Sequence, residues 1–238
     1  MEFEYIFLPE IASTQKYAIS AINSGDILQN SIIYTKNQTN GIGRSGSKWH
    51  SAMGNLAVSF VILQENSSEI ALASIKAGLS VAKSLEVLGI SNKVTLKWPN
   101  DIFCNNQKIG GIIVNIEQKD NIKYCIIGIG LNLISHPEAE MPYPISNILK
   151  EFGVKITPNE IISQVAQQLP LYLEKNEVID EYKKIAFGFG EKIQLQDGRL
   201  GILQDFTQNG SAVAALEGGE VVKISSGSLE FLNYVRAI

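Results

Sequence analysis

Apolar residues recur with a period of two in several short stretches of this chain and with a period near 3.6 in a few longer ones. Strands are expected at Tyr5–Leu8, Ser31–Lys36 and Asn55–Leu63; in the last of these Leu56, Val58, Phe60 and Ile62 fall on one face. Thr14–Asn23 reads as a helix, with Ser13 as its N-cap and Gly25 just past its end. A long helix follows the third strand. Asn66 can cap it, Glu69 sits in its first turn, Gly89 ends it, and Ala71, Ile75, Leu79, Ala82 and Leu85 form a stripe for burial. Val94–Lys97, Ile102–Cys104, Ile109–Ile116 and Lys123–Leu133 give consecutive strands. Thr157-Pro158-Asn159-Glu160 is a capping box with proline at the first helical position. The helix it opens should kink or end at Pro170, and a further helix covers roughly Val178–Ala186.

After Phe189 the texture changes. Asp197-Gly198, Asn209-Gly210, Gly218-Gly219 and Ser226-Gly227 punctuate short alternating runs, which predicts a small antiparallel barrel. A domain boundary is expected near Gly188–Gly190, giving units at 1–188 and 189–238. Because that junction is glycine-rich, removing Glu191–Ile238 is expected to leave a folded first unit.

Composition narrows the class. The chain has 238 residues, 45% of them apolar, enough for one good-sized domain with a core plus a small second one. Its longest apolar stretch, Ala57–Leu63, is broken by Ser59 and is far too short to span a bilayer. The first residues, Met-Glu-Phe-Glu, lack the basic segment of a secretory signal. Cys104 and Cys125 have no metal-ligand spacing, so a reducing cytoplasm is expected rather than a disulfide scaffold. His50 and His136 have no Cys or His at ligand spacing and are read as surface or supporting residues.

The net charge of −4 argues against general nucleic-acid binding. Its distribution is more informative. No carboxylate lies between Asp26 and Glu65, where Lys36, Arg44 and Lys48 do. None lies between Glu86 and Asp101, where Lys93 and Lys97 do, and Lys108 is the only charge from Ile102 to Ile116. An acidic protein that keeps cations in acid-free segments is suited to bind a small anion there. The alternative is chance segregation of charge in apolar strands.

Three motifs fall in these segments. Gln38–Gly54 is a Gly/Ser/Asn-rich loop of a length usually tied to function. Its Gly41-Ile42-Gly43-Arg44-Ser45-Gly46 matches Gly-x-Gly-x-x-Gly, but the next element alternates as a strand, so the dinucleotide-fold reading fails on context. What survives is a flexible loop whose backbone amides could wrap an anion, aided by Arg44 and Lys48 and carrying an indole, Trp49. In Gly128-Ile129-Gly130-Leu131-Asn132, Gly128, Gly130 and Asn132 share a bare face. Such faces serve a ligand or a closely packed neighbour equally well. Finally, Lys97-Trp98-Pro99-Asn100-Asp101 and Lys108-Ile109-Gly110-Gly111-Ile112 place an indole, an amide, a carboxylate and two ammonium groups around one hairpin.

That last block resembles the signature of biotin–protein ligases, and the other motifs resemble it in the same order. The family's Gly-Arg-Gly-Arg-x-Gly-x-x-Trp loop is matched at Gly41, Gly43, Arg44, Gly46 and Trp49, with Ile42 in place of its first Arg. Its Ser-Thr-Asn appears as Ser13-Thr14-Gln15, with Gln15 one methylene longer than the usual Asn, and its Gly-x-Gly-x-Asn strand is matched by Gly128–Asn132. The resemblance implies an α+β fold: a mixed sheet flanked by helices, like the catalytic domain of class II aminoacyl-tRNA synthetases, followed by a small Src-homology-3-like barrel. It implies ATP-dependent formation of biotinyl-5′-adenylate and transfer of biotin to a lysine of a biotin carboxyl carrier domain. With the motifs beginning at Ser13, the chain is expected to belong to the family's non-regulatory class, without a DNA-binding domain. No nucleic-acid or membrane partner is expected, and an exposed strand edge would support a homodimer.

The resemblance also implies roles. Lys108, Arg44 and Asp101 are the expected catalytic residues, with Lys108 bridging the biotin carboxylate and the α-phosphate. Ser13, Thr14, Gln15, Gln38, Gly41, Ile42, Gly43, Lys108, Gly110 and Gly111 are expected around biotin. Arg44, Lys48, Trp49, Lys97, Asn100 and Asn132 are expected around ATP. Mg²⁺ is expected on the phosphates, and Asp101 either holds it or orients the incoming amine. The Gln38–Gly54 loop is expected to be mobile when empty and ordered by ligand. A lipoate ligase and a non-catalytic biotin-binding module are the alternatives.

Overall fold

The computed structural model describes residues 1–64, 70–90, 93–137 and 143–232. In chain order the elements are β1 (Glu4–Ile11), α1 (Thr14–Ser24), β2 (Ser31–Gln38), the two-residue strands β3 (Gly41–Ile42) and β4 (Lys48–Trp49), and β5 (Leu56–Gln64). Then come α2 (Ile70–Val87), β6 (Val94–Lys97), β7 (Asp101–Cys104), β8 (Gln107–Lys119), β9 (Ile122–Leu131), α3 (Ile148–Phe152), α4 (Pro158–Glu174) and α5 (Ile179–Ile185). The last five strands are β10 (Lys192–Gln194), β11 (Leu200–Phe206), β12 (Ala212–Leu216), β13 (Val221–Ile224) and β14 (Glu230–Phe231).

Seven strands form one mixed sheet in the order β1-β2-β5-β9-β8-β7-β6. Only β1 and β2 pair in parallel, joined by α1 as the crossover. Alternation in β5 decides its orientation: Leu56, Val58, Phe60 and Ile62 all enter the main core, on the face that meets α4. On the other face α1 covers a smaller cluster around Ile22, Ile33, Val61 and Ile126. Ser13 caps α1, and Gly25 closes it in the left-handed conformation. The expected cap of α2, Asn66 with Glu69, lies outside the described residues. α2 is buried over most of its circumference from Ala73 to Val81, a wider face than a single stripe, because α4 and the sheet enclose it.

Pro170 does not end α4, which runs on to Glu174. Pro170 and Leu169 are buried, and the Lys76 Nζ donates to the Leu173 carbonyl. Packing and that side-chain donor outweigh the one hydrogen bond a proline removes. At its N-terminus, Thr157 and Glu160 form the expected reciprocal capping box.

β10–β14 make a second, wholly antiparallel sheet in the order β13-β12-β11-β10-β14. It is not a separate core. Trp98, 1% exposed, donates its indole N–H to the Gly210 carbonyl at 2.9 Å. Phe187 and Phe231 meet edge-on at 5.3 Å, Tyr182 and Phe206 at 4.8 Å, and all belong to one continuous apolar cluster. The indole of the signature block is therefore an anchor for the second sheet rather than a wall of a ligand site.

This continuity changes the expected result of truncation. Cutting before Glu191 strips partners from Trp98, Tyr182 and Phe187, a loss of the kind that costs about 3–5 kcal/mol per large aromatic. The shortened chain should melt well below the full chain, and its tryptophan emission should shift to the red. A melting temperature within about 2 °C of the full chain would show that the two sheets are independent.

Candidate active site

A cavity of about 480 Å³ opens where the loop after β2 folds over β8 and β9. Its floor is the bare face expected from the glycine spacing. A Cβ on Gly130 would sit 2.4 Å from the Trp49 indole, and one on Gly128 would sit 2.6 Å from the Gln15 amide oxygen. Both glycines are therefore required by close approach, and the approaching groups are walls of the cavity.

The charged end is built by β7 and β8. The Lys108 Nζ lies 2.6 Å from Asp101 Oδ1. In a regular strand Lys108 and Gly111, three apart, would face opposite sides. The β7–β8 register shifts between Ile102 and Phe103, so that Phe103 pairs with Lys108 and Ile102 with Gly110. This bulge buries Ile109 and brings Lys108 and Gly111 to the same cavity. The Lys108 backbone is further held by the Pro144 carbonyl and the Ser146 N–H. Arg44 donates to Asn100 Oδ1 at 3.1 Å and to the Gly227 carbonyl at 3.2 Å. Asn100 in turn donates to the Ile112 carbonyl at 2.8 Å. Burial lowers the Arg44 pKa and the neighbouring Asp101 opposes that effect, while a guanidinium keeps its charge throughout the working range.

The uncharged end is polar but neutral. The Thr14 backbone N–H donates to Gln38 Oε1 at 3.0 Å, and Ser59 Oγ lies 2.9 Å from Thr14 Oγ1 and 2.8 Å from Gln15 Oε1. The loop itself is a small hairpin, β3 against β4, with a turn of 3₁₀ helix at Arg44–Gly46. It is more structured than an unaided flexible loop.

Of the cations in acid-free segments, Arg44, Lys48 and Lys108 converge on this cavity, and among the described residues Asp101 is the only carboxylate lining it. Among the described residues no group of three His, Cys, Asp or Glu side chains could hold a metal. Ser13, Thr14, Gln15, Gln38, Ile42, Gly43, Trp49, Asn100, Gly111 and Asn132 also line it. Three expected residues do not. Gly41 is buried in the hairpin, where a Cβ would strike the Gln38 amide at 2.5 Å and the Trp49 carbonyl at 2.6 Å. Gly110 faces away, against Leu131 and Ile102, as strand alternation demands once Gly111 faces in. Lys97 ends β6 with its Nζ 4.5 Å from the Tyr143 ring and 5.8 Å from that of Phe231.

The sequence model of the biotin/lipoate A/B protein ligase family matches residues 7–132. The chain belongs to this family. The bifunctional ligase/repressor BirA of Escherichia coli is 31% identical over 171 residues, covering 70% of this chain and 52% of BirA. The chain thus spans about half the length of that relative. The biotin–[acetyl-CoA-carboxylase] ligase of Mycobacterium tuberculosis is 25% identical across 94% of this chain and 87% of its own length. The structure of the Aquifex aeolicus biotin protein ligase in complex with biotin and ATP superposes with a TM-score of 0.81 at 26% identity, over 95% of this chain and 97% of that one.

Several cavity residues of this family member escape a reading by motif. Ser59, His50, Ser47 and Ile145 line it, and Asn115 braces Gln15 from behind. Ser59 carries a visible signal, since it is the lone hydroxyl in the apolar run of β5. The others sit in unremarked loop or strand positions. Cys104 and Cys125 are free and buried, their thiols pushed up to about 11 and about 12 by burial.

Lys97 gives a pH-dependent signature. Burial pulls its pKa down from 10.5 to about 8. Between those values the folded chain has lost a proton that the unfolded chain keeps, so the Lys97 contribution to stability rises with pH. Lys97→Met should therefore be more stable than the parent near pH 7, and the gap should close as pH passes about 8. Parallel denaturation curves at pH 7 and pH 9.5 would decide, and a pH-independent gap counts against a strained ammonium.

Proposed function

We propose that the chain is an ATP-dependent biotin–protein ligase that forms biotinyl-5′-adenylate and transfers biotin to a lysine of a biotin carboxyl carrier domain. The supporting observation is one cavity with a neutral hydrogen-bonding end at Thr14, Gln38 and Ser59 and a cationic end at Lys108, Arg44 and Lys48. A ureido ring suits the first end and the junction of a carboxylate with phosphates suits the second. In the first step a biotin carboxylate oxygen attacks the α-phosphorus, and the bond to pyrophosphate breaks. Two anions must meet, so the work is positioning and charge neutralisation. Lys108 bridges them, held in aim by Asp101, while Arg44 clamps the phosphate side and Lys48 takes the outer phosphates. Trp49 and Asn132 contact the adenylate, and the Asn100 amide fixes Arg44. In the second step the acceptor amine attacks the acyl carbon, AMP leaves and the amine gives up a proton.

Among the described residues Asp101 is the one carboxylate lining the cavity, which suits a magnesium ion carried mainly on ATP phosphates and water. We assign 1–188 as the catalytic unit and 189–238 as a small Src-homology-3-like barrel docked on it. The Mycobacterium tuberculosis relative is a biotin–[acetyl-CoA-carboxylase] ligase, which supports a carboxylase domain as the partner here. Two free thiols suit the cytoplasm, and the free edge of β1, with Tyr5 and Phe7 exposed, would allow a homodimer.

Lys108→Ala should abolish pyrophosphate release from biotin and ATP, a cost of several kcal/mol in a water-poor site, while the melting temperature changes little. Near-parental release would refute the role of Lys108. Release with lipoate in place of biotin would favour the lipoate branch instead.

Lys48 is exposed and Arg44 half-buried in the hairpin, so limited trypsin digestion of the free protein should cut chiefly after Lys48. Biotin with Mg-ATP should suppress that cut. Equal cleavage with and without ligands would mean that the loop does not close over the adenylate.

A further inference from the structure

The neutral end of the cavity holds a chain of hydrogen bonds whose direction can be worked out. Gln15 Nε2 lies 3.0 Å from the Ile126 carbonyl and 3.0 Å from Asn115 Oδ1. A backbone carbonyl can only accept, so the amide nitrogen must face it and the Gln15 Oε1 must face Ser59. An amide oxygen can only accept as well. Ser59 has one proton, and it goes to Gln15 Oε1 at 2.8 Å. Ser59 Oγ is then left as an acceptor. Thr14, 2.9 Å away, sends its own proton either there or to Gln38 Oε1 at 3.3 Å. With either of these acceptors taking it, the Thr14 proton is spent inside the protein and its oxygen presents lone pairs to a ligand. Gln38 is fixed in the same way. The Thr14 backbone N–H points at Gln38 Oε1, so the Gln38 Nε2 is the end that donates.

We propose that Gln15, braced by Asn115 and the Ile126 carbonyl, is a positioning residue that sets the Ser59–Thr14 hydroxyl chain so that Thr14 accepts an N–H of the bound ligand. The inference rests on the proposed biotin-binding function of this cavity. It moves Gln15 from a ligand contact to a residue acting through two others, since both ends of its amide are already engaged by the protein. It also gives a physical use to its extra methylene relative to asparagine. The longer side chain lets one amide reach from the start of α1 across the bare Gly128 to both β8 and β9. The donor–acceptor pattern that results, an acceptor at Thr14 and a donor at Gln38, is the complement of a cyclic urea, which offers N–H beside C=O. A site so polarised discriminates against ligands lacking the matching N–H, because a buried acceptor would be left unpaired.

The test uses the full chain, with biotin affinity read by calorimetry and the KM values by pyrophosphate release. Gln15→Leu should weaken biotin by about tenfold to a hundredfold, with the KM for ATP moving far less. Gln15→Glu is the more informative variant. Its carboxylic acid can donate to the Ile126 carbonyl and accept from Ser59 as the amide does, whereas its carboxylate cannot donate. Biotin affinity of Gln15→Glu should approach the parent's at low pH and fall by at least about tenfold as the buried acid ionises, a pH dependence absent from the parent. If Gln15→Leu does not fold, Ser59→Ala breaks the same chain one link later and should weaken biotin selectively too. Folded variants that bind biotin within about threefold of the parent at every pH would overturn the inference alone. Equal losses for biotin and ATP would also overturn it, since that marks general disruption. A parent chain that neither binds biotin nor releases pyrophosphate would overturn the function it rests on, and the inference with it.

Discussion

Where β8 crosses β7, one extra residue decides which side of the sheet Lys108 faces. Without the bulge at Ile109, the strict alternation of β8 would put Lys108 on the face opposite Gly111, into the packed side of the sheet. With it, the ammonium, the Asp101 carboxylate and the bare backbone of Gly111 and Gly130 share one cavity. The bulge can persist because both neighbours are tied down. Ile109 is fully buried, and the segment Pro144–Ser146 hydrogen-bonds the Lys108 backbone from its other side. Those two bonds also explain why a stretch far along the chain bears on the position of the central lysine.

The two ends of the cavity are held by different means. The cationic end depends on tertiary reach: Arg44 touches the signature hairpin at Asn100 and the second sheet at Gly227. The loop carrying Arg44 is thereby coupled to the segment between β13 and β14, in a sheet held at the β11–β12 turn by Trp98 and at β14 by the Phe231–Phe187 contact. The neutral end depends on buried amides and hydroxyls between α1, β2, β5, β8 and β9, with no charge among them. Such a network is rigid when every member is paired, and no buried polar side-chain atom among the described residues lacks a partner. A rigid neutral end and a loop-dependent cationic end suit a site that holds one reactant before closing on the other.

Much of this was legible in the residues because local rules coincide with the fold. The strand and helix positions follow from period two and period 3.6, and the caps at Ser13 and Thr157 from their local chemistry. The bare face of Gly128 and Gly130 followed from alternation, although only the structure shows that Gln15 and Trp49 fill the space. Where the structure departs from the expectation, the cause is tertiary. Lys97 stands in a block of site residues, but its side chain turns toward Tyr143 and the second sheet, and nothing within the block records those partners. Gly110 and Gly111 are neighbours in sequence, but neighbours in a strand face opposite ways and only Gly111 lines the cavity. Gln15 and Asn115 meet across 100 positions of chain, beyond the reach of any spacing rule.

Lys97 shows how such a residue can matter without lining the cavity. The residue is 3% exposed, and its ammonium sits on the Tyr143 and Phe231 rings and feels Asp101, Lys108, Arg44 and Glu230 electrostatically. Burying that charge is costly, as its pKa of about 8 records, and the aromatic faces offset only part of the cost. A positive charge so placed adds to the field of the cationic end from behind while gluing β6 to β14. It resists closer approach of further cations and favours arrival of anions. The same ammonium therefore links the electrostatics of the cavity to the packing of the second sheet, and a change in either would be felt at the other.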